Sequence, residues 1–301
     1  MRKVLIITYY WPPSAGSGVQ RWLKFSKYLP ENGWKPYVFT AESPSFDVKD
    51  ECLLNDISPE TEVWKSPIWE PYSLRDKIFG KSTNSNFGIV QDKSSLKNKI
   101  LNWLRGNIFI PDPKVFWVRS SVKLLTKKIV EENITHMIST GPPHSMHLIA
   151  LALKKKNPNI KWISDFRDPW SQLDILDDFR LTKRSRLKHQ QLEKEVLLHS
   201  DICLTVSDTW KKSFKTLGAN NVKVITNGFD EENFNTLDVQ NDKFIIGHYG
   251  LLNHLRNPIN LWKNLNTLCE DNPDFNEKLE IRLSGNIDTE VLQSITENFH
   301  L

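Results

Sequence analysis

Alternating apolar strands and amphipathic helices predict an α/β protein made of two doubly wound domains that face a cleft, the second of them incomplete. Three observations carry this. Val4, Leu5, Ile6, Ile7 and Thr8 form a continuous β-branched run, the pattern of a parallel strand buried on both faces. A glycine-bearing loop at 9–18, a helix carrying Val19, Trp22, Leu23, Phe25 and Leu29, and a second strand at 36–40 follow it directly, which makes a βαβ unit. The same rhythm starts again after a polar stretch at 231–243, so the domains are read as 1–235 and 236–301.

Composition narrows the function. The 301 residues suffice for about two domains, and 39% hydrophobic with 25% charged residues is an ordinary globular balance. A net charge of +4 and a pI of about 8.8 suit a phosphate-bearing ligand or an anionic surface and are too weak to argue for nucleic acid. Cys52, Cys203 and Cys269 are far apart and form no CxxC pair. A zinc ribbon or a disulfide framework is therefore not expected, and a reducing, cytoplasmic setting fits. Met1, Arg2 and Lys3 precede an apolar run too short for a signal peptide, and aromatics and two prolines follow it. No window approaches the roughly 18 apolar residues a membrane span requires, so any membrane contact is expected to be peripheral.

After the first βαβ unit the pattern loosens. Residues 62–68 hold one strand, and 77–99 are polar and read as mobile. Residues 96–109 combine apolar and basic side chains. Two readings stand: a membrane-surface segment, or a helix packing on its own domain. Regular alternation then returns, with helices at 115–132, 144–155, 184–199 and 208–217 and strands at 136–140, 161–164, 202–206 and 222–225. In the second domain, strands are expected at 244–247 and 279–283 and helices at 258–269 and 289–298. These do not close a doubly wound domain of about 100–150 residues, so a truncated chain is expected.

The first chemical signal is the pair Gly16 and Gly18, between strand one and helix one, at the carboxyl end of the sheet where open α/β folds bind ligands. Glycines admit a phosphate close to the backbone, and the helix start offers unbonded N–H groups. A dinucleotide fingerprint needs a small residue at 21, where Arg21 stands. A plain tight turn is the alternative.

Asp165, Arg167 and Asp168 follow a strand end and are candidates for binding acceptor hydroxyls or assisting deprotonation. Pinning a loop by ion pairing is the competing role. His144 opens a helix after Gly141, Pro142 and Pro143, where it could meet substrate. His144 and His147 lie three apart, but no acidic partner is evident and no metal site is predicted. Arg180, Lys183, Arg184, Arg186 and Lys188 form a basic cluster entering a helix; Glu193 and Glu195 follow, which reads as a solvated face or a contact with anionic lipid.

Several motifs together resemble bacterial family 4 glycosyltransferases of the GT-B fold. They are the run from Tyr9-Tyr10-Trp11-Pro12-Pro13 through Gly16-Ser17-Gly18-Val19-Gln20-Arg21-Trp22, then Thr140-Gly141-Pro142-Pro143-His144-Ser145 and Asp165-Phe166-Arg167-Asp168-Pro169-Trp170. Thr205-Val206-Ser207, Thr226-Asn227-Gly228-Phe229-Asp230, Gly250-Leu251-Leu252 and Arg256-Asn257-Pro258 complete the series in the expected order.

The resemblance implies two Rossmann-like domains, an acceptor side and a nucleotide-sugar side. It implies hexosyl transfer from a nucleoside-diphosphate sugar, as co-substrate, to a glycan or lipid-linked acceptor in polysaccharide biosynthesis. The reaction usually retains configuration and needs no metal or other cofactor. Gly16, Ser17, Gly18, Gly250 and Arg256 would hold the donor diphosphate. Arg21, His144 and Ser145 would lie on the acceptor side of the cleft. The family's late Glu-x7-Glu motif is not found: Glu290 and Glu297 are spaced x6. A non-catalytic nucleotide- or sugar-binding protein of the same fold is therefore the alternative. Nucleic acid is not expected as a partner.

Overall fold

The apolar run near the N-terminus becomes a strand enclosed on both faces. The computed structural model describes residues 1–44, 46, 48–69, 96–173, 175–231 and 242–299. In it β1 (Arg2–Ile7) lies inside a seven-stranded sheet. Successive strand side chains point to opposite faces, so Leu5 and Ile7 enter one core while Val4 and Ile6 enter another, and all four are buried.

The chain divides into two units, Met1–Asp230 and Glu231–Leu301. In the first, β2 (Trp34–Glu42) and β4 (His136–Gly141) flank β1. β3 (Glu62–Pro67) lies outside β2. β5 (Lys161–Phe166), β6 (Ile202–Thr205) and β7 (Val222–Val224) continue beyond β4. Every pairing is parallel, which is the doubly wound α/β architecture expected.

One face is covered by α1 (Ser17–Tyr28) through Val19, Trp22 and Leu23. The helix α2 (Leu96–Asn107) precedes α3 (Val118–Glu131), α4 (Ser145–Lys156), α5 (Lys183–His199) and α6 (Asp208–Thr216). The last four put Leu125, Ile149, Val196 and Phe214 into the core that holds Leu5 and Ile7. Apolar side chains surround most of α4 because it packs between α3 and α5 as well as on the sheet. Among the described residues, no helix is long and apolar enough to cross a membrane.

The second unit has its own sheet, β8 (Phe244–Tyr249) parallel to β9 (Leu279–Ser284), and does not extend the first. The helices α7 (Ile259–Asp271) and α9 (Thr289–Gln293) with the turn after α9 supply a small core of Trp262, Leu265, Val291 and Ile295 with Leu252, and α8 (Pro273–Lys278) packs Phe275 against it. The sequence reading passed over α8. Its signal is Asn272, whose side chain accepts the Phe275 N–H at 3.1 Å, followed by proline at the first helical position. The helix expected over 289–298 instead widens into a π turn at Ser294–Asn298. The polar stretch 77–95 and most of the 231–243 crossing lie outside the described residues.

Leu5 has no exposed surface. Leu5→Ala is expected to lower stability by about 2–5 kcal/mol, because the lost transfer energy is joined by the cavity left behind. Urea unfolding followed by circular dichroism measures it.

Candidate functional site

The strand order reverses at β1, so the loops after β1 and β4 depart in opposite directions and leave a crevice at the carboxyl edge. The loop after β1 is tied down at several points. Thr8 N–H donates to Phe39 O, Ala15 N–H to Val48 O, and Asp50 N–H to Pro13 O. Tyr9 and Trp11 are buried beneath it. At its end Gly16 adopts φ +98°, a conformation that side chains rarely allow, and the chain enters α1 with no side chain capping the helix. Gly16 and Ser17 are exposed, so the start of the turn lies at the surface, while the Val19 N–H folds back onto Gly16 O at 3.3 Å.

Gly18 follows for a steric reason. A Cβ there would lie 3.0 Å from Tyr10 Cδ2 and 3.2 Å from Arg167 Nη1. Arg167 uses that space to join three loops. It donates through Nη1 to Gly18 O at 2.7 Å, through Nε to Gly141 O at 3.3 Å, and through Nη2 to Pro142 O. Its permanent charge therefore sits directly below the N-terminal turn of α1.

Asp165 has no exposed surface and is fully engaged. Arg21 donates to both its oxygens from Nε and Nη2 at 3.1–3.3 Å. Trp22 Nε1 and Thr140 Oγ1 donate to Oδ2 at 2.6 and 2.9 Å. Arg21 also reaches Thr226 O and Asn227 Oδ1 through Nη1, at 3.1 and 3.2 Å. Of the two roles read for the Asp165 cluster, the geometry gives Asp165 the pinning one. Asp168 is the exposed carboxylate of the three.

The three residues expected on the acceptor side, Arg21, His144 and Ser145, are all buried. Arg21 is buried, with its guanidinium bonded to Asp165 and the 226–227 segment. Ser145 is buried because Asp112 takes both its N–H and its hydroxyl, at 2.9 and 2.8 Å, and so anchors the start of α4. His144 is buried and stacked on Trp170, with ring centroids 5.1 Å apart. Burial, helped by the Arg167 charge and His189, pushes the His144 pKa down to about 3. Neither of its ring nitrogens makes a hydrogen bond among the described residues.

Three functional neighbours escaped the sequence reading. Ser139 Oγ accepts from Trp162 Nε1 at 2.9 Å and is hydrogen-bonded to His147 Nδ1 at 2.8 Å. Burial, with the charges of His144 and Arg167, holds the His147 pKa well below its ordinary value. Asp112 is the second neighbour. Glu193 is the third, and it corrects the solvated-face reading: it is buried and accepts Trp170 N–H at 3.0 Å, Ser171 N–H at 3.1 Å and the Ser171 hydroxyl. Burial raises its pKa despite those bonds.

In the second unit, Gly250 (φ +133°) ends β8 and donates its N–H to Ser284 O at 2.7 Å. Gly285 ends β9 so close by that a Cβ there would lie 2.3 Å from Gly250 O. Gly285 was not singled out in the sequence, because only the pairing of β8 with β9 reveals its partner. Arg256 is exposed three residues before α7. Among the described residues no three His, Cys, Asp or Glu side chains come together as metal ligands.

No family model matches the sequence, and no curated protein matches it. Solved structures do. The N-terminal domain of Candida albicans trehalose-6-phosphate phosphatase is similar at a TM-score of 0.59 and 14% identity, covering 100% of this chain and 70% of that one. TarM is similar at 0.59 and 11%, covering 99% and 74%. Trehalose-6-phosphate from E. coli bound with UDP-2-fluoro glucose is similar at 0.50 and 11%, covering 99% and 68%. At these identities the likeness establishes the fold alone, a Rossmann-like α/β fold of the GT-B type.

Asp165→Asn leaves the Arg21 charge buried without its partner and is expected to cost about 3–5 kcal/mol. Asp168→Asn, at an exposed position, is expected to stay within about 0.5 kcal/mol of the parent. Chemical denaturation of both variants separates the two roles.

His144 and His147 are neutral when folded, whereas in the unfolded chain they titrate near 6.5. Below that pH the unfolded chain binds more protons, so their contribution to stability is whole above about 6.5 and falls as the pH drops toward 3. His144→Phe keeps the stack on Trp170 and is expected to remove up to about 1.4 kcal/mol per pH unit from that slope. Unfolding free energy measured from pH 7 to pH 4 reads it.

Proposed function

We propose that this chain is a glycosyltransferase that moves a sugar from a nucleoside-diphosphate sugar to a glycan or lipid-linked acceptor. One observation carries the reading: an exposed, uncapped helix N-terminus behind Gly16 and Gly18, at the switch point of a doubly wound sheet, with the Arg167 charge beneath it. A diphosphate is the ligand such a turn suits, because its oxygens accept from backbone N–H groups and its charge is answered by the helix dipole and the guanidinium. The similar E. coli structure holds UDP-2-fluoro glucose, which supports this ligand class.

In this reading Gly16, Ser17 and Gly18 bind the donor diphosphate, and within the second unit Gly250 and Arg256 are the candidate donor contacts. Stabilising the departing diphosphate is the main catalytic task, and fixed dipoles and cations accomplish it without a metal. Asp168 is the carboxylate able to accept an acceptor hydroxyl. Asp165 acts through Arg21 by holding α1 in place, and Arg167 supplies charge below the diphosphate. The motif order shared with family 4 supports a retaining outcome, a cytoplasmic setting and a role in polysaccharide biosynthesis.

The test is a panel of UDP-, GDP- and ADP-sugars, with binding followed by calorimetry and transfer by nucleoside diphosphate release. Binding and transfer of at least one donor are expected. Gly18→Val, which pushes into Tyr10 and Arg167, is expected to weaken donor binding at least about tenfold, or about 1.4 kcal/mol. Arg256→Ala is expected to raise the donor Kd by a similar factor, and Asp168→Asn to lower kcat more than it changes donor KM. Binding without transfer to any acceptor favours the non-catalytic alternative, and no binding of any donor overturns both.

A further inference from the structure

We propose that the face formed by α2, the segment that follows it and the start of α5 docks on an anionic membrane surface. Large apolar side chains left in solvent concentrate there. Ile100 and Trp103 are exposed and lie three residues apart, on one side of α2. Ile108 is 55% exposed, and Phe109 next to it packs edge-on against the exposed Phe116 at 5.7 Å. Phe116 in turn meets Trp69, itself 55% exposed, at 5.0 Å. Contiguous exposed apolar surface of this kind marks a binding face.

The structure joins this surface to the basic cluster, which lies more than 70 residues away in sequence. Asn107 Oδ1 accepts the Thr182 N–H at 2.8 Å, and His189 Nε2 donates to Gly106 O at 3.1 Å. Gly106 permits the approach, since a Cβ there would lie 2.5 Å from Leu181 Cδ2 and 2.6 Å from Phe179 Cβ. Exposed Lys99, Arg180, Lys183, Arg184 and Lys188 therefore border the aromatic patch, with exposed Leu187 among them.

Charge complementarity identifies the occupant. No Asp or Glu occurs at positions 96–111 or 179–192. Of the described carboxylate side chains that flank these segments, Asp177 pairs with Arg186 at 2.6 Å, Asp112 is taken up by Ser145 and the Lys114 N–H, and Glu193 is buried against Trp170 and Ser171. Aromatic and aliphatic side chains ringed by Lys and Arg suit the boundary between headgroups and acyl chains of an anionic leaflet. The inference does not rest on the transfer reading.

Co-sedimentation of the full chain with vesicles tests it without any sugar nucleotide. Vesicles of phosphatidylcholine with phosphatidylglycerol are compared with phosphatidylcholine alone, at low and high salt. Binding at least about tenfold stronger to the anionic vesicles, weakened by salt, is expected. The double variant Trp103→Ser with Phe116→Ser is expected to lower binding to both vesicle types. The triple variant Lys183→Gln, Arg184→Gln and Lys188→Gln is expected to lose the anionic preference. Val130→Ser and Leu255→Ser, equally exposed apolar sites elsewhere, are expected to change nothing. Equal or absent binding of the parent chain to the two vesicle types overturns the proposal. So does a loss as large in the control variants, or a self-associated parent that Trp103→Ser returns to monomer.

Discussion

A carboxylate with no exposed surface needs a cation and several donors around it, and here that requirement falls on Asp165. It is met by Arg21 and Trp22 of α1 and by Thr140 of β4, while Arg21 extends to the 226–227 segment. One buried group therefore binds together β5, β4, α1 and the end of the first unit. Asp230 adds a second tie, pairing with Lys24 at 3.0 Å and accepting from Tyr28 at 3.0 Å. The direction of α1 follows from these bonds, and with it the direction of the N–H groups behind Gly16. Burying an ion pair is a costly way to gain stability, but it fixes geometry well when every oxygen is satisfied.

The same economy of anchors shapes the rest of the carboxyl edge. Arg167, in the loop after β5, joins the first turn of α1 to the end of β4 and the loop that follows it through three carbonyls. Asp112 holds the start of α4, and Glu193 holds the 170–171 backbone from α5. Between them runs a layer of buried rings: His147 on Phe166, and His144 on Trp170. Trp170 donates to His189 Nδ1, and His189 donates onward to Gly106. A hydrogen-bonded chain thus runs from Trp170 to the C-terminal end of α2. Its members are placed by packing, so the loops of the edge rest on a rigid floor.

Most of the fold was legible because strand and helix periods are local properties. The run Val4 to Ile7, the glycines at 16 and 18 and the later alternation locate the strands within a few residues. The character of the site residues was less legible. Arg21 excludes a dinucleotide fingerprint by its size, but its partner Asp165 lies 144 positions away and only the parallel sheet brings them together. Ser145 and Glu193 carry the composition of surface residues and are buried because Asp112 and the 170–171 backbone meet them. Charge type is written in the sequence; the partner that decides between exposure and burial is set by the topology.

In the proposed reading, the first turn of α1 is an anion site built for a nucleoside diphosphate. Backbone amide NMR of the isotopically labelled chain, titrated with UDP, GDP and ADP, tests it most directly. Saturable shifts centred on the amides of Ser17 and Gly18 with at least one nucleotide are the expected result. Saturable binding that leaves those two amides unmoved would contradict it.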